Sequence, residues 1–361
     1  MKDVLQVISE QADSGLSVAL ASLVWSTGSI PMSDRAKMLV LAGGELVGTI
    51  GGGCLEAEVY AAGREVLDKG IPCDMRYTMT EKQAGESGLN CGGTVRIYTE
   101  LVTPAVAEVF YQPIAEAQRQ RQGCVLVTRL NSGDRILFAA DGQVWAQCGQ
   151  GGWEEWAWGQ IGDVLAKGRG RLCVREDLGG DGLGNEFFIE PFLPPPVLFL
   201  FGGGHVGGQV CALAKNVGFR VVLIDDRPAF ANTGRHPGAD ECIAGDIADI
   251  FPSLPIDEQS YILALTRGHQ YDELVIERAI ETAACYIGML GSERKKLVLW
   301  KRIEGRGGSR EKLDRVYAPI GANIGADTPE EIAVSVLAEL VKVRRGVRKA
   351  WKTKRVEGVV V

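Results

Sequence analysis

A chain of 361 residues, 46% hydrophobic and 24% charged, is a globular protein with room for two cores of ordinary size, about 100–200 residues each. No apolar run nears the roughly 18 residues of a membrane span, and a net charge of −7 excludes general nucleic-acid binding. The nine cysteines are odd in number and form no CxxC pair, so neither a disulfide framework nor a zinc ribbon fits. The opening MKDVLQVISEQADSG lacks the apolar segment of a signal peptide, which sets the expectation of a cytoplasmic protein without nucleic-acid or membrane partners.

In chain order, VALASLVWS and KMLVLAGGELVGTIGG read as strands, the second folding over Gly43-Gly44 as a hairpin. Leu55, Val59, Ala62 and Val66 follow GGGC at helical spacing and predict an amphipathic helix. TVRIYTEL, CVLVTRL and RILFAADGQVWAQ are further strands, with Asp141-Gly142 turning the last into a hairpin. Residues 1–193 are therefore expected to form a mixed α+β domain. The prolines 194–196 are stiff and lack donors to join a sheet, so the domain boundary is placed there.

Beyond it, strand and helix signals alternate. VLFLF leads to a helix with Val206, Val210, Leu213 and Val217 on one face, and RVVLID, ECIAG, YILALT, CYIGML and VYAPI follow as strands. Such short, β-branched, wholly apolar runs imply parallel strands buried on both faces, hence a doubly wound, Rossmann-like α/β domain over 197–345. Thr328-Pro329-Glu330-Glu331 predicts a capping box opening the last helix, with Ile332, Val336 and Leu340 facing inward. Residues 346–361 read as a basic tail, a solvated helix end.

Gly202, Gly204 and Gly207 form a GxGxxG between a strand and a helix, and Asp225 ends the next strand 23 residues after the first glycine. Glycines permit a tight turn and close backbone approach, helix N–H groups meet a phosphate, and the acid accepts from a ribose hydroxyl. The plain alternative is a turn needed only for packing. His205, His236 and His269 all fall after predicted strands, where open α/β sheets bind ligands. His205, inside the glycine loop, is the candidate ligand contact, and the spacing offers no metal-binding pattern, so no metal ligand is assigned.

In the first domain, Gly52 and Gly53 lead into Cys54 at a predicted helix N-terminus, where the helix dipole favours an anion and would lower a thiol's pKa. Cys91, before two glycines, is sterically open. Small buried residues at turns remain the alternative for both cysteines. Gly28-Ser29-Ile30-Pro31, with Arg35 and Lys37, offers a hydroxyl and two cations to an anionic ligand, or is an ordinary polar loop. Ser29 and Lys37 are its candidate contacts.

GSIP with AKMLV (28–40), GTIGGGCLEAEV (48–59), CGG (91–93), LFGGGHVG (200–207), VLIDDR (222–227), LTRGHQYD (265–272), IGMLGSERKK (287–296) and PIGANIGADTPEEIAVSVLAEL (319–340) together resemble the XdhC/CoxI family. These are accessory proteins that mature xanthine dehydrogenase and related molybdenum hydroxylases. The resemblance implies a cytoplasmic, commonly dimeric chaperone rather than a stand-alone enzyme. It would bind the molybdenum cofactor (a molybdopterin, mono- or dinucleotide), protect it while a cysteine desulfurase supplies its sulfur, and insert it into the hydroxylase. The chain departs from the family pattern at Met32 and Arg35, where an arginine and a glycine are usual, and at Ala322 and Asn323, where leucine and aspartate are usual.

On that basis Gly202, Gly204 and Gly207 would contact a phosphate, Asp225 a sugar or pterin polar group, and Cys54 or Cys91 the metal or its sulfur, in a cleft between the domains. The runner-up is an NAD(P)-dependent oxidoreductase, because Gly202 to Asp225 reads equally as a dinucleotide fingerprint. A non-catalytic scaffold for desulfurase and hydroxylase is the third.

Overall fold

The computed structural model describes residues 4–30, 32–78, 93–130, 132–175 and 185–346, which divide into two compact units, Met1–Pro194 and Pro195–Val361. Cys91 and Pro31 lie outside the described residues, as does nearly all of the basic tail.

The first unit holds two five-stranded antiparallel sheets. One runs β3-β2-β1-β5-β4, from β1 (Val18–Thr27), β2 (Lys37–Val40), β3 (Leu46–Thr49), β4 (Cys73–Thr78) and β5 (Thr94–Val102). The other runs β8-β7-β6-β10-β9, from β6 (Cys124–Arg129), β7 (Arg135–Ala139), β8 (Val144–Cys148), β9 (Arg171–Val174) and β10 (Glu186–Phe192). Both hairpins form as the turn residues dictate, β2 with β3 and β7 with β8.

The alternation along β1 decides the layering, because successive side chains leave opposite faces of a sheet. Ala19, Ala21 and Leu23 pack with Leu55, Val59 and Val66 of helix α2 (Gly53–Lys69), the face that the helical spacing predicts. Val18 and Leu20 pack the other way, with Leu5 and Ile8 of α1 (Val4–Asp13) and with Phe110, Tyr111 and Ile114 from a helical segment ending in α3 (Gln112–Arg119). Cys124, Leu126 and Leu137 of the second sheet join that same layer, and the far face of this sheet is covered by Ala157, Ile161 and Val164 of α4 (Glu154–Lys167).

The second unit is the doubly wound fold that the sequence implies. Its parallel sheet runs β13-β12-β11-β14-β15, from β11 (Val197–Phe201), β12 (Arg220–Asp225), β13 (Glu241–Ala244), β14 (Ser260–Ala264) and β15 (Tyr286–Met289). Phe199, Phe201, Ile224 and Ile262 bury one face under α6 (His269–Ala279) and α7 (Glu293–Gly305). Leu198, Leu200, Leu223 and Leu263 bury the other under α5 (His205–Asn216) and α8 (Pro329–Arg344), the latter opened by the expected capping box. Strand order reverses between β11 and β14, whose following helices lie on opposite faces, so the loops after these two strands diverge.

Two sequence expectations need correction. VYAPI forms no strand: Tyr317 makes a single bridge to Gly288, and Pro319, with no N–H, cannot extend a ladder. On α5 the buried line is Gly207, Val210, Cys211 and Ala214, while Val217 is 38% exposed. Small residues at 207, 211 and 214 let the helix approach the sheet closely, and that proximity outweighs the larger valine.

Candidate functional sites

The GxGxxG turn lies at the carboxyl edge of the parallel sheet, and its three glycines differ. Gly202 has φ +114°, and a Cβ there would lie 2.2 Å from the Leu265 carbonyl oxygen in the loop after β14. A Cβ on Gly207 would lie 1.9 Å from the Gly202 carbonyl oxygen. Both are demanded by the turn itself. At Gly204, by contrast, nothing stands within 4 Å of the corresponding position, so the backbone is open to a ligand. Helix α5 starts there without a side-chain cap, and its first turn closes with the Gly208 N–H donating to the Gly204 carbonyl. The N–H groups of His205, Val206 and Gly207 therefore have no helical acceptor and present the positive end of the helix at that opening. These features fit a phosphate.

Asp225 is 3% exposed, and its carboxylate is already engaged. Oδ2 accepts from the Gly203 N–H at 2.8 Å and from Arg227 Nη2 at 3.0 Å, and Oδ1 accepts from the Arg227 N–H at 3.0 Å and from Arg227 Nε at 2.8 Å. Burial works to raise its pKa, but the Arg227 guanidinium and these two amides outweigh it and hold the carboxyl below the usual range. Asp225 thus braces the glycine turn, and its acceptors are spent within the protein. Arg227 in turn lies over the Phe230 ring, 3.6 Å from its centroid.

The histidines occupy three different settings. His205, the first residue of α5, is exposed; His236 is buried against Gly203 and Gly208; His269, the first residue of α6, is exposed and lines a different cavity. Among the described residues no group of three or more His, Cys, Asp or Glu could hold a metal ion.

In the first unit a cleft of about 730 Å³ draws together Met32, Arg35, Lys37, Thr49, Gly52, Glu56 and Glu190. The cations expected to serve an anion are engaged by the protein. Lys37 Nζ donates to Ser22 Oγ at 2.8 Å and pairs with Glu190 at 2.9 Å, and Arg35 donates to the Gly168 carbonyl. Glu56 is the residue that pattern reading missed. Its carboxylate accepts from Thr49 Oγ1 and, at 3.1 Å, from the Ile50 N–H, and the amides of Gly51 and Gly52 also face it. The Thr49 hydroxyl, aided by those amides and opposed by partial burial, holds the Glu56 carboxyl below its ordinary range. An acid in the first turn of a helix that opens on three glycines was the available signal.

Cys54, the second residue of α2, is exposed beside this loop, as is Ser29 in the GSIP loop. Gly53 opens the helix, with Gly52 as its cap. The glycine of the CGG motif has a steric reason: a Cβ on Gly93 would lie 2.5 Å from the Ser29 carbonyl oxygen. Gly93 is therefore packed against the chain at 27–30, while Cys91 lies outside the described residues.

Comparison with known proteins agrees with these features. Residues 198–340 match the model of the XdhC Rossmann domain and residues 11–78 that of the XdhC and CoxI family, together more than half of the chain. A Bacillus subtilis protein named as a probable subunit of xanthine dehydrogenase is 27% identical over 91% of this chain and 93% of its own. The Escherichia coli molybdenum cofactor insertion chaperone PaoD is 23% identical over 95% of this chain and 88% of its own. A crystal structure from Bacillus halodurans, described as a xanthine dehydrogenase, superposes with a TM-score of 0.78 at 23% identity, covering 96% of this chain and 97% of that one, a likeness of fold. The chain is a member of the XdhC/CoxI family.

Proposed function

We propose that this protein is a molybdenum cofactor chaperone. It takes the phosphorylated pterin, as mono- or dinucleotide, as transient cargo, protects it during sulfuration by a cysteine desulfurase, and inserts it into a xanthine dehydrogenase-like molybdenum hydroxylase. The observation that carries the reading is the relationship, along 95% of the chain, to a protein named as a molybdenum cofactor insertion chaperone. The turn supports it: Gly204 is open, and the amides that follow are unpartnered, which suits a phosphate. Cys54, exposed at the start of α2, and Cys91 are the thiols offered to the metal or its sulfur ligand. A cytoplasmic homodimer completes the reading.

The NAD(P)-dependent oxidoreductase is the lesser reading. It keeps the glycine fingerprint, but Asp225, which would accept from the ribose, already accepts four hydrogen bonds from Gly203 and Arg227.

The test is molybdenum and pterin analysis of the protein purified from a cofactor-replete host, with two glycine variants alongside. Both should copurify with the parent, and absence of both would refute the chaperone reading. Gly204→Ala, with space for its methyl, should melt as the parent does yet load less cofactor. Gly207→Ala, whose methyl collides with the Gly202 carbonyl, should lower Tm by several degrees. Equal loading in Gly204→Ala and parent would remove the turn from cofactor binding.

A further inference from the structure

Where β14 and β15 of the second unit end, a cavity of about 270 Å³ opens between α6 and α7, and none of its lining residues belongs to the glycine turn. Its polar wall consists of His269, Ser292, Arg294, Lys295 and Arg302, and its apolar floor of Val298 and Leu299. No carboxylate lines it. We propose that this cavity is a binding site for a small organic phosphate, with the phosphoryl group on Arg294, Lys295 and Arg302 and the carbon body on Val298 and Leu299.

Lys295 is held by a buried acid behind the wall, and Arg302 touches a second one more loosely. Lys295 Nζ donates to Asp272, which is 1% exposed, and to the Leu290 carbonyl at 3.0 Å. An ammonium has three donor hydrogens, so one remains. Arg302 donates through Nη1 to Glu273 at 3.4 Å, leaving most of its five N–H groups unspent. Arg294, exposed on the first turn of α7, has no partner among the described residues, so its charge is uncompensated. A wall of three basic side chains, one unpaired, suits a dianionic phosphate better than a single carboxylate, since guanidinium forks and an ammonium together match several phosphoryl oxygens. The floor explains why the ligand is an ester and not the bare ion. Val298 is 47% exposed, an apolar surface that an organic group would cover. The inference does not depend on the cofactor reading, because it uses none of the residues assigned to it.

The measurement is calorimetric titration of the full chain with phenyl phosphate and with inorganic phosphate at constant ionic strength, on parent and on Arg294→Ala. The parent should bind phenyl phosphate saturably, about tenfold or more tighter than inorganic phosphate, which corresponds to about 1.4 kcal/mol. Arg294→Ala, an exposed change with no partner to lose, should keep the parent's melting temperature and weaken phenyl phosphate at least fivefold. Val298→Ser should bring phenyl phosphate towards inorganic phosphate. No saturable binding by the parent, or equal binding by Arg294→Ala, overturns the proposal. Failure of molybdenum and pterin to copurify would leave these titrations unaffected, so the two readings fail separately.

Discussion

His236 is 5% exposed and its Nε2 has no hydrogen-bond partner. The Phe230 and Gly203 backbones approach it without meeting hydrogen-bond geometry, and Gly208 lies against the ring. Burial, with Arg235 adding to it, pushes the imidazole pKa below 6.5. The unfolded chain therefore binds the proton first as pH falls, so the neutral histidine's contribution to stability is full above about pH 6.5 and declines below it. An unsatisfied buried nitrogen costs about 1–3 kcal/mol. His236→Leu, apolar and of similar volume, should raise stability by about 1 kcal/mol at pH 7.5 and flatten the decline between pH 7.5 and 5.5, read from urea midpoints. An unchanged decline would mean that another group titrates there. Residue roles are where the sequence was least informative. The acid ending β12 is plain from its position, but that its four hydrogen bonds stay inside the protein depends on how Arg227 folds back two residues later. Glu56 likewise acquires its role from the Thr49 hydroxyl and from the amides that the glycine loop brings to it.

Elements were read more fully than residues, because periodicity reports burial directly. The face of α2 is the one its spacing predicts, since the large residues Leu55, Val59 and Val66 meet a sheet lined with alanines at 19 and 21. Helix α5 departs from its pattern, because hydrophobic periodicity weighs Val217 above Ala214 while packing against the sheet favours the smaller residue. Two substitutions separate the readings. Ala214→Leu should overpack the junction with the sheet and cost about 1–3 kcal/mol, whereas Val217→Lys, at an exposed helix end, should stay within about 0.5 kcal/mol of the parent. Denaturant unfolding of both checks this, and a costly Val217→Lys would restore the predicted face. Strands β4, β9 and β10 escaped pattern reading for a different reason. Strand β10 finds its central partner β6 some sixty residues earlier, while β4 and β9 pair with the strand that follows each but are short, and a polar-alternating run such as Cys73–Thr78 carries little apolar signal of its own.

For the molecule as a whole, each apolar cluster is complete within one unit. In the second, two clusters fill the two faces of one parallel sheet, and helices cover both. That division follows from the Pro194–Pro195–Pro196 segment, which has no N–H to donate to a ladder and only accepts, at Pro196, from the Arg220 N–H of β12, and from sheets that close their pairing on either side of it. A unit of about 150 residues with such a core is the size at which domains fold alone. Residues 195–346 expressed by themselves should therefore unfold in a single cooperative transition, with near-UV circular dichroism from Trp300, 1% exposed in that core. A fragment that kept its far-UV signal but lost the near-UV signal and bound a hydrophobic dye would be a molten globule. That outcome would mean that the second unit's packing needs the first, and that its two clusters are not by themselves a sufficient core. If the fragment folds, its sites can be separated physically: phenyl phosphate binding should persist in it with the affinity of the full chain, because every lining residue of that cavity lies within 269–302.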